Sequence, residues 1–330
     1  MDNYVNNDTN NKSQLIKISG SIGMVKLVKG DNNIFIFYDD HSNIRYCNTS
    51  DSIFLYDLFE NIIGNQNENN SDYIILLEEP FVDNYSNIKF LWNDTPHIIK
   101  FRNFYKKIIK KCSDTKTCMI FPVDIRLIMC DVSMDELIFN LDNSNYFEQY
   151  DITIQEYFKY ILYLFDYIEY DENKFKNSDS NIKFIYKVFN KFKDSDYYKK
   201  LKENFVILFN QYIKPDSLIK IKDFLYKNKI GIYSKPNGYP FTNDVKNNFL
   251  DQYDKLLNGL MEFYIYILMI GMNKKNIILY SGYYHSNNLT FILEKYYGFK
   301  NIYSNGKTTN IEFNKQEIIN CLQIDKKIFF

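Results

Sequence analysis

The sequence predicts an α/β fold in which a central, largely parallel sheet is flanked by helices. Short apolar runs alternate along the chain with segments of helical periodicity, which is the pattern of βαβ units. Of the 330 residues, 45% are hydrophobic, which is enough to bury a large core. We expect a single α/β domain over residues 14–330, with a mostly helical insertion at about 132–247 and short extra strands near both ends. Residues 1–13 are predicted to be a disordered tail, because they cannot bury enough apolar surface.

Four apolar runs have the length and composition of buried strands. They lie at residues 33–38, 73–77, 117–123 and 276–280. Each run is followed by polar or charged residues, and right-handed crossovers between the runs would produce a parallel sheet. Ahead of the first run, apolar and polar residues alternate on either side of Gly20, which predicts a hairpin of residues 15–19 and 24–28.

The connecting segments carry apolar residues at helical spacing, and from residue 134 to residue 272 this pattern is almost continuous. Asp51 is expected to cap the first helix, and Gly298 is expected to end a late one. The main predicted helices outside the insertion lie at residues 52–63, 97–111, 248–272, 289–297 and 316–322.

Charge and hydropathy argue against two classes of partner. Forty basic and 41 acidic residues give a formal net charge of −1, so the basic signature of a nucleic-acid binder is missing and we expect no nucleic acid. The most apolar run, residues 256–272, contains Asn258, Gly259 and Glu262 and is shorter than the roughly 20 apolar residues that span a bilayer. We expect this run to be a buried helix and the protein to have no membrane partner.

The five cysteines are widely spaced and form no C-x-x-C pair, so they predict neither a disulfide framework nor a zinc ribbon and favour a reducing compartment. The N-terminus is polar and acidic, unlike a signal peptide, and we expect an intracellular, cytoplasmic protein. Abundant Tyr, Phe, Asn and Lys with few Gly and Pro is typical of an AT-rich genome. We expect a large DNA virus or an AT-rich protist as the source, and for a virus a location in the host cytoplasm or the virion.

Two of the three histidines, His41 and His285, lie just beyond the carboxyl ends of predicted strands. This is the edge at which open α/β sheets bind their ligands. Each histidine is followed by Ser-Asn, and Ser286 or Asn287 is expected to cap a helix. The N–H groups at the start of that helix could hold an oxyanion.

Charged residues follow two further predicted strands. Glu78 and Glu79 come after the second run, and because neighbouring strand residues point to opposite faces, the sequence leaves open which of them faces the site. Arg126 follows the third run. Two imidazoles with one carboxylate form a divalent-metal set that leaves a position for water. Asp39 or Asp40 could add an oxygen ligand or orient the neighbouring histidine.

This arrangement resembles the TraB/Tiki, ChaN-like and erythromycin-esterase-like superfamily. Its members have a Gly-x-x-His motif after a strand, a strand-end Glu, an Arg, and a second Gly-x-x-His after a late strand. Residues 282–285, Gly-Tyr-Tyr-His, match the second motif, and residues 38–41, Tyr-Asp-Asp-His, match the first except that Tyr38 replaces the glycine. Glu78 matches the glutamate and Arg126 matches the arginine.

The resemblance spans roughly residues 15–130 and 249–304 and implies a metal-dependent hydrolase of peptide or ester bonds. The implied ligands of a divalent ion, Mn, Co or Zn, are His41, Glu78 and His285. Arg126 would stabilise negative charge on the substrate. The candidate substrate contacts are Asp39, Asp124, Gly282 and Tyr284. Because Tyr38 replaces a conformationally permissive glycine, an alternative stays open, in which a catalytically degenerate scaffold serves as a viral or host protein-interaction or structural protein.

Overall fold

The computed structural model describes residues 15–40, 45–64, 73–80, 96–115, 120–130, 132–169, 180–228, 230, 248–272, 274–308 and 319–329. The predicted tail, residues 1–13, lies outside this part of the chain. The strands are β1 (Leu15–Ser19), β2 (Gly23–Lys29), β3 (Asn32–Asp39), β4 (Arg45–Tyr46), β5 (Ser52–Phe54), β6 (Tyr73–Pro80), β7 (Ile120–Asp124), β8 (Asn276–Gly282), β9 (Lys300–Gly306) and β10 (Ile319–Asp325). The helices are α1 (Leu55–Gly64), α2 (Pro96–Thr115), α3 (Arg126–Met129), α4 (Met134–Phe139), α5 (Ser144–Gln149), α6 (Ile154–Tyr157), α7 (Lys159–Leu164), α8 (Ser180–Lys191), α9 (Asp196–Leu208), α10 (Lys214–Asp216), α11 (Ile221–Lys227), α12 (Asn248–Gly271) and α13 (Tyr283–Tyr297).

The larger sheet has six strands in the order β7-β6-β8-β3-β2-β9. Strands β3 and β8 pair in parallel, with Phe37 opposite Tyr280, while β2 runs antiparallel to both β3 and β9. The interiors of β3 and β8 are almost wholly buried, as their continuous apolar runs predict for strands covered on both faces. The α/β fold predicted from the sequence is confirmed.

A second sheet of four short strands has the order β4-β10-β1-β5 and joins segments from both ends of the described chain. Strand β1 pairs antiparallel with β10 and parallel with β5, so the predicted hairpin of residues 15–19 and 24–28 is wrong. The chain bends at Gly20, which has φ of 108°, and β1 and β2 enter different sheets. Alternation identified both strands, but β1 pairs with β10 and β5, which are distant in the sequence, whereas β2 pairs with the adjacent β3 and with the distant β9.

Three predicted helix bounds also differ from the structure. Residues 52–54 form β5, so the first helix begins at Leu55. Residues 319–322, assigned to a C-terminal helix, lie in β10, where pairing with β1 outweighs local helical preference. Helix α13 begins at Tyr283, ahead of the predicted caps Ser286 and Asn287, and ends at Gly298 as expected.

Cys47 and Cys321 form a disulfide, which the expected absence of a disulfide framework and the expected reducing compartment did not predict. The two cysteines are 274 residues apart in the sequence, but their Cα atoms are 4.8 Å apart, because Cys47 follows β4 directly and Cys321 lies in β10. The pairing of these two strands brings them together, and sequence spacing alone does not reveal it. Cys130 is buried and forms no disulfide.

The chain divides into two compact units. The first contains residues 1–75, 95–120 and 275–330, and the second contains residues 76–94 and 121–274. Helices α3 to α12 belong to the second unit, which includes the predicted insertion at about 132–247. That a single domain carries this insertion stays a prediction.

In the first unit, helices cover both faces of β3 and β8. Phe37 packs against Phe59 of α1 with ring centroids 5.6 Å apart, and the next residue, Tyr38, faces α13. Tyr280 of β8 stacks on Phe101 of α2 at 4.1 Å. Because successive strand residues point to opposite faces, one aromatic strand anchors helices on both sides of the sheet.

In the second unit, α12 is buried over most of its 24 residues, as its apolar run predicts. It packs against α9 at Gly259, where an added Cβ would lie 2.5 Å from Leu201 Cδ2. The absence of a side chain at Gly259 therefore allows the two helices to approach closely. Of the described helices, none combines the length and hydropathy needed to cross a bilayer.

Candidate functional site

The predicted site residues are divided between the two units. Asp39, Gly282, Tyr284 and His285 belong to the first unit, and Glu78, Asp124 and Arg126 belong to the second. His41 lies outside the described residues. The geometry of each unit is therefore described separately.

The second unit holds a network of charged and polar side chains around Arg126, the first residue of α3. Its guanidinium donates from Nε and Nη2 to the two carboxylate oxygens of Asp124, both at 2.9 Å. Nη2 also donates to Glu78 Oε1 at 3.0 Å, and Nη1 donates to Asn258 Oδ1 at 3.0 Å. Such bidentate, charge-assisted bonds fix the plane of the guanidinium. We refer to these four residues as the Arg126 network.

Burial and charge act together on this network. The side chains of Glu78 and Asp124 are only 7% and 14% exposed, and that of Arg126 is 29% exposed. Burial alone would lower the pKa of Arg126, but the carboxylates of Asp124 and Glu78 outweigh it and raise that pKa above its ordinary value. Arg126 is therefore a permanent cation at a fixed position.

Local chain geometry explains why Asp124 and Arg126 meet. The backbone N–H of Arg126 donates to Asp124 Oδ1 at 3.1 Å, so the aspartate side chain bonds to the main chain two residues later. This is the pattern of an Asx turn, which leads the chain out of β7 and into α3. Asp124, predicted as a substrate contact, therefore positions Arg126.

Glu78 is the member of the glutamate pair that contacts Arg126. Strand β6 continues through both glutamates to Pro80, so the two side chains point to opposite faces. Glu79 is 5% exposed and buried on the other side. The contact favours Glu78, the residue that the resemblance selected.

The sequence did not indicate Asn258 as a candidate site residue. It interrupts the apolar run of α12, and a half-buried amide in such a helix needs a hydrogen-bond partner. That interruption was the available signal, but the partner, Arg126, is 132 residues away in the sequence.

Two further carboxylates respond to the charge of Arg126. The pKa of Asp135, in the first turn of α4, is raised to about 7, chiefly by burial and then by the negative charge of Asp254, while Arg126 opposes the shift. The pKa of Asp254 is raised to about 6, chiefly by burial and then by Asp251, and Arg126 again opposes the shift. Asp254 lies one helical turn before Asn258 on α12, which places it on the same side of that helix.

Exposure distinguishes these two carboxylates. The surrounding protein partly desolvates both carboxyl groups, but Asp254 as a whole residue is exposed whereas Asp135 is half-buried. Solvent therefore screens the charge of Asp135 less than that of Asp254. A carboxyl that titrates near neutral pH can accept or release a proton under ordinary conditions.

In the first unit, β8 passes directly into α13, with Gly282 as the N-cap residue. His285 is the third residue of the helix and is 8% exposed, whereas Tyr284 is 68% exposed. Ser286 Oγ donates to the carbonyl oxygen of Ser281 at 2.9 Å, which ties the first turn of the helix to the strand. His285 therefore lies in the first turn of a helix that is anchored to the preceding strand.

Tyr38, which stands where the family motif has glycine, is fully buried in the first unit. Its hydroxyl lies 2.7 Å from Thr290 Oγ1, and its ring centroid is 5.8 Å from that of Tyr283. Burial raises the pKa of Tyr38 above its ordinary value, so the phenol stays protonated. Asp39, the next residue, is also buried, at 1% exposure. Tyr38 thus serves as a packing contact between β3 and α13.

A metal site requires several ligating side chains close together. Within the described part of the chain, no group of three or more His, Cys, Asp or Glu residues is arranged to hold a metal ion. His41, one of the three predicted ligands, is not among these residues. The described residues therefore do not by themselves complete the predicted metal set.

Comparison of the chain with protein-family models, curated proteins and solved structures gave no match. The resemblance to the TraB/Tiki and erythromycin-esterase-like superfamily stays a prediction based on the motif residues.

Proposed function

We propose that the chain is a hydrolase of peptide or ester bonds, in which Arg126 stabilises negative charge that develops on the substrate oxygen. The observation that supports this proposal is the Arg126 network, where Glu78, Asp124 and Asn258 hold one guanidinium from three directions. Charged side chains gathered at strand ends of an α/β sheet are common at ligand sites.

Electrostatic catalysis requires a charge that is already oriented before the reaction begins. Asp124 supplies this orientation through two bonds to the guanidinium and one to the backbone of Arg126. Asn258 adds a neutral acceptor, which orients the group without cancelling its charge. A folding role alone is a weaker explanation, because apolar residues of similar volume often replace partly buried ion pairs without loss of stability.

The proposal includes a divalent ion, Mn, Co or Zn, with His41, Glu78 and His285 as ligands drawn from the sequence. When bound, such an ion would supply a water of lowered pKa. Arg126 would orient the Glu78 carboxylate through their 3.0 Å hydrogen bond. Asp39, Asp124, Gly282 and Tyr284 are proposed substrate contacts, and of these Tyr284 is the most exposed.

The test is a hydrolysis screen of the purified chain with short-chain p-nitrophenyl esters and quenched fluorescent peptides, with and without added Mn²⁺, Co²⁺ or Zn²⁺. We expect turnover by the wild type and a loss of about 100-fold or more in Glu78→Gln and Arg126→Lys. Glu60→Gln is the matched control, because Glu60 forms an exposed ion pair with Lys107 in the first unit. Absence of turnover by the folded wild type under every condition, or full activity in Glu78→Gln, would contradict the proposal.

A second candidate function is a non-catalytic scaffold that acts as a viral or host protein-interaction or structural protein. The burial of Tyr38 and its hydrogen bond to Thr290 favour it, because the position of the motif glycine is used for packing. The same screen separates the two functions. A scaffold gives no turnover with any substrate, and Tyr38→Gly would lower its stability without producing activity.

A further inference from the structure

Residues 45–54, which we call the strap, contain both edge strands of the four-stranded sheet. Strand β4 pairs with β10 at one edge, and β5 pairs with β1 at the other. Between these strands the chain crosses the ends of β10 and β1, and Lys17 Nζ contacts the Asp51 carboxylate there at 3.1 Å. The strap is therefore held at its two ends by different strands.

The two ends of the strap are held unequally. At the β5 end, three consecutive residues pair with β1, and α1 follows directly. At the β4 end, the pairs within the described part of the chain are Arg45 with Ile319 and Tyr46 with Asn320. Two backbone pairs at the edge of a sheet contribute few hydrogen bonds against local opening.

The disulfide strengthens the weaker end. Arg45 pairs with Ile319 and Tyr46 with Asn320, so the next step of this parallel register places Cys47 opposite Cys321, the pair that is covalently joined. Besides this bond, the backbone N–H of Cys47 donates to Ser19 Oγ at 3.1 Å. The disulfide thus acts as a covalent third pair of β4 and β10.

The rest of the sheet does not depend on this bond. Strand β10 pairs with β1 over five residues, and its inward side chains Leu322 and Ile324 are buried beside Ile18. None of these contacts involves the two sulfur atoms, so we expect them to persist on reduction. Loss of the disulfide would then remove the covalent hold on the described part of β4 and leave β10, β1 and β5 paired.

We propose that the Cys47–Cys321 disulfide is a redox-sensitive latch that holds the β4 end of the strap against β10 and releases it on reduction. The S–S bond takes up two electrons and two protons and becomes two thiols. A dithiol reductant supplies them and is itself oxidised to its disulfide. Both half-cystines are half-buried, so a small dithiol can reach them, whereas Cys130 is 1% exposed and accepts a hydrogen bond from the Tyr253 hydroxyl. The latch is independent of the proposed hydrolase activity.

The test is hydrogen exchange measured by mass spectrometry on the whole chain, oxidised and then reduced with dithiothreitol, alongside quantification of free thiols. We expect exchange of the amides at residues 45–47 to accelerate at least about tenfold on reduction, while β1 and residues 322–325 keep their protection. Reoxidation restores the protection. Cys47→Ser and Cys321→Ser should behave like the reduced chain, and Cys130→Ser is the control that keeps the response.

Three results would overturn the latch. The first is equal protection of residues 45–47 in both redox states. The second is loss of protection throughout the first unit on reduction, which would make the disulfide a staple of the whole fold. The third is a thiol count showing that Cys47 and Cys321 stay reduced in air. The reduced wild type gives the answer even when a serine variant folds poorly.

Discussion

Replacing Asp135 by Asn is expected to stabilise the protein above neutral pH. The pKa of Asp135 is raised to about 7 in the folded chain, chiefly by burial and next by the charge of Asp254. In the unfolded chain this carboxyl has an ordinary pKa near 3.9. The folded state therefore disfavours the ionised form, and the neutral amide avoids that penalty.

The expected gain in stability follows from the size of the Asp135 pKa shift. About three pKa units correspond to about 4 kcal/mol of differential stability between the two protonation states. Because Asp135 is half-buried, solvent screening reduces this value, and Asn also loses a favourable charge in the first turn of α4. We expect Asp135→Asn to raise the free energy of unfolding by about 1–3 kcal/mol at pH 8.

The direction of the Asp135 pKa shift determines the pH range in which the stability of the wild type changes. Between about pH 4 and pH 7 the folded chain binds more protons at Asp135 than the unfolded chain does, so stability falls as the pH rises through this range. Below the unfolded pKa the carboxyl is protonated in both states, and the variant should gain nothing. Urea denaturation of wild type and variant at pH 4, 6 and 8 measures this difference directly.

Asp196→Asn is the matched control, because Asp196 also follows a serine N-cap in the first turn of a helix but is 96% exposed. It should show no gain at pH 8. If Asp135→Asn is as unstable as, or less stable than, the wild type at pH 8, the electrostatic account of the Arg126 neighbourhood is wrong.

Three further predictions follow from packing and covalent contacts. Gly259→Val should destabilise the second unit by about 2 kcal/mol or more in urea, because even a Cβ at this position lies 2.5 Å from Leu201 Cδ2; Leu201→Ala in the same chain should recover part of the loss. Tyr38→Phe should cost about 1 kcal/mol by removing the hydrogen bond to Thr290, and an unchanged thermal midpoint would contradict this role. Cys321→Ser should lower the free energy of unfolding by about 2–4 kcal/mol. Closing a loop of 274 residues in the unfolded chain would stabilise the folded state by at most about 5–6 kcal/mol, and an unchanged free energy of unfolding would contradict this contribution.

The parts of the fold that were predicted correctly are those with strong local signals. Strands β3 and β8 are continuous apolar runs, and burial on both faces requires such runs. Helix α12 was indicated by its long apolar run, and the end of α13 was indicated by Gly298, whose φ of 69° suits glycine.

The predictions that were wrong concern elements whose partners are distant in the sequence. Strand β1 shows the right alternation, but pairing with β10 is set by residues some 300 positions later. The Cys47–Cys321 disulfide follows from the β4–β10 pairing, which no local pattern reports. Among the candidate site residues, the strand ends indicated Glu78 and Arg126, which contact each other, and their role in a site stays a prediction. Asn258 contacts Arg126, and Asp135 lies close enough to respond to its charge, through helix packing that the sequence does not specify.

The most direct test of the proposed hydrolase is metal content and thermal stability of the purified wild type beside His285→Ala, titrated with Mn²⁺, Co²⁺ and Zn²⁺. The proposal predicts stoichiometric metal and a raised thermal midpoint in the wild type, both lost in His285→Ala and kept in Tyr296→Phe, an exposed control on the same helix. If the wild type binds none of the three metals, the metal-dependent mechanism is contradicted.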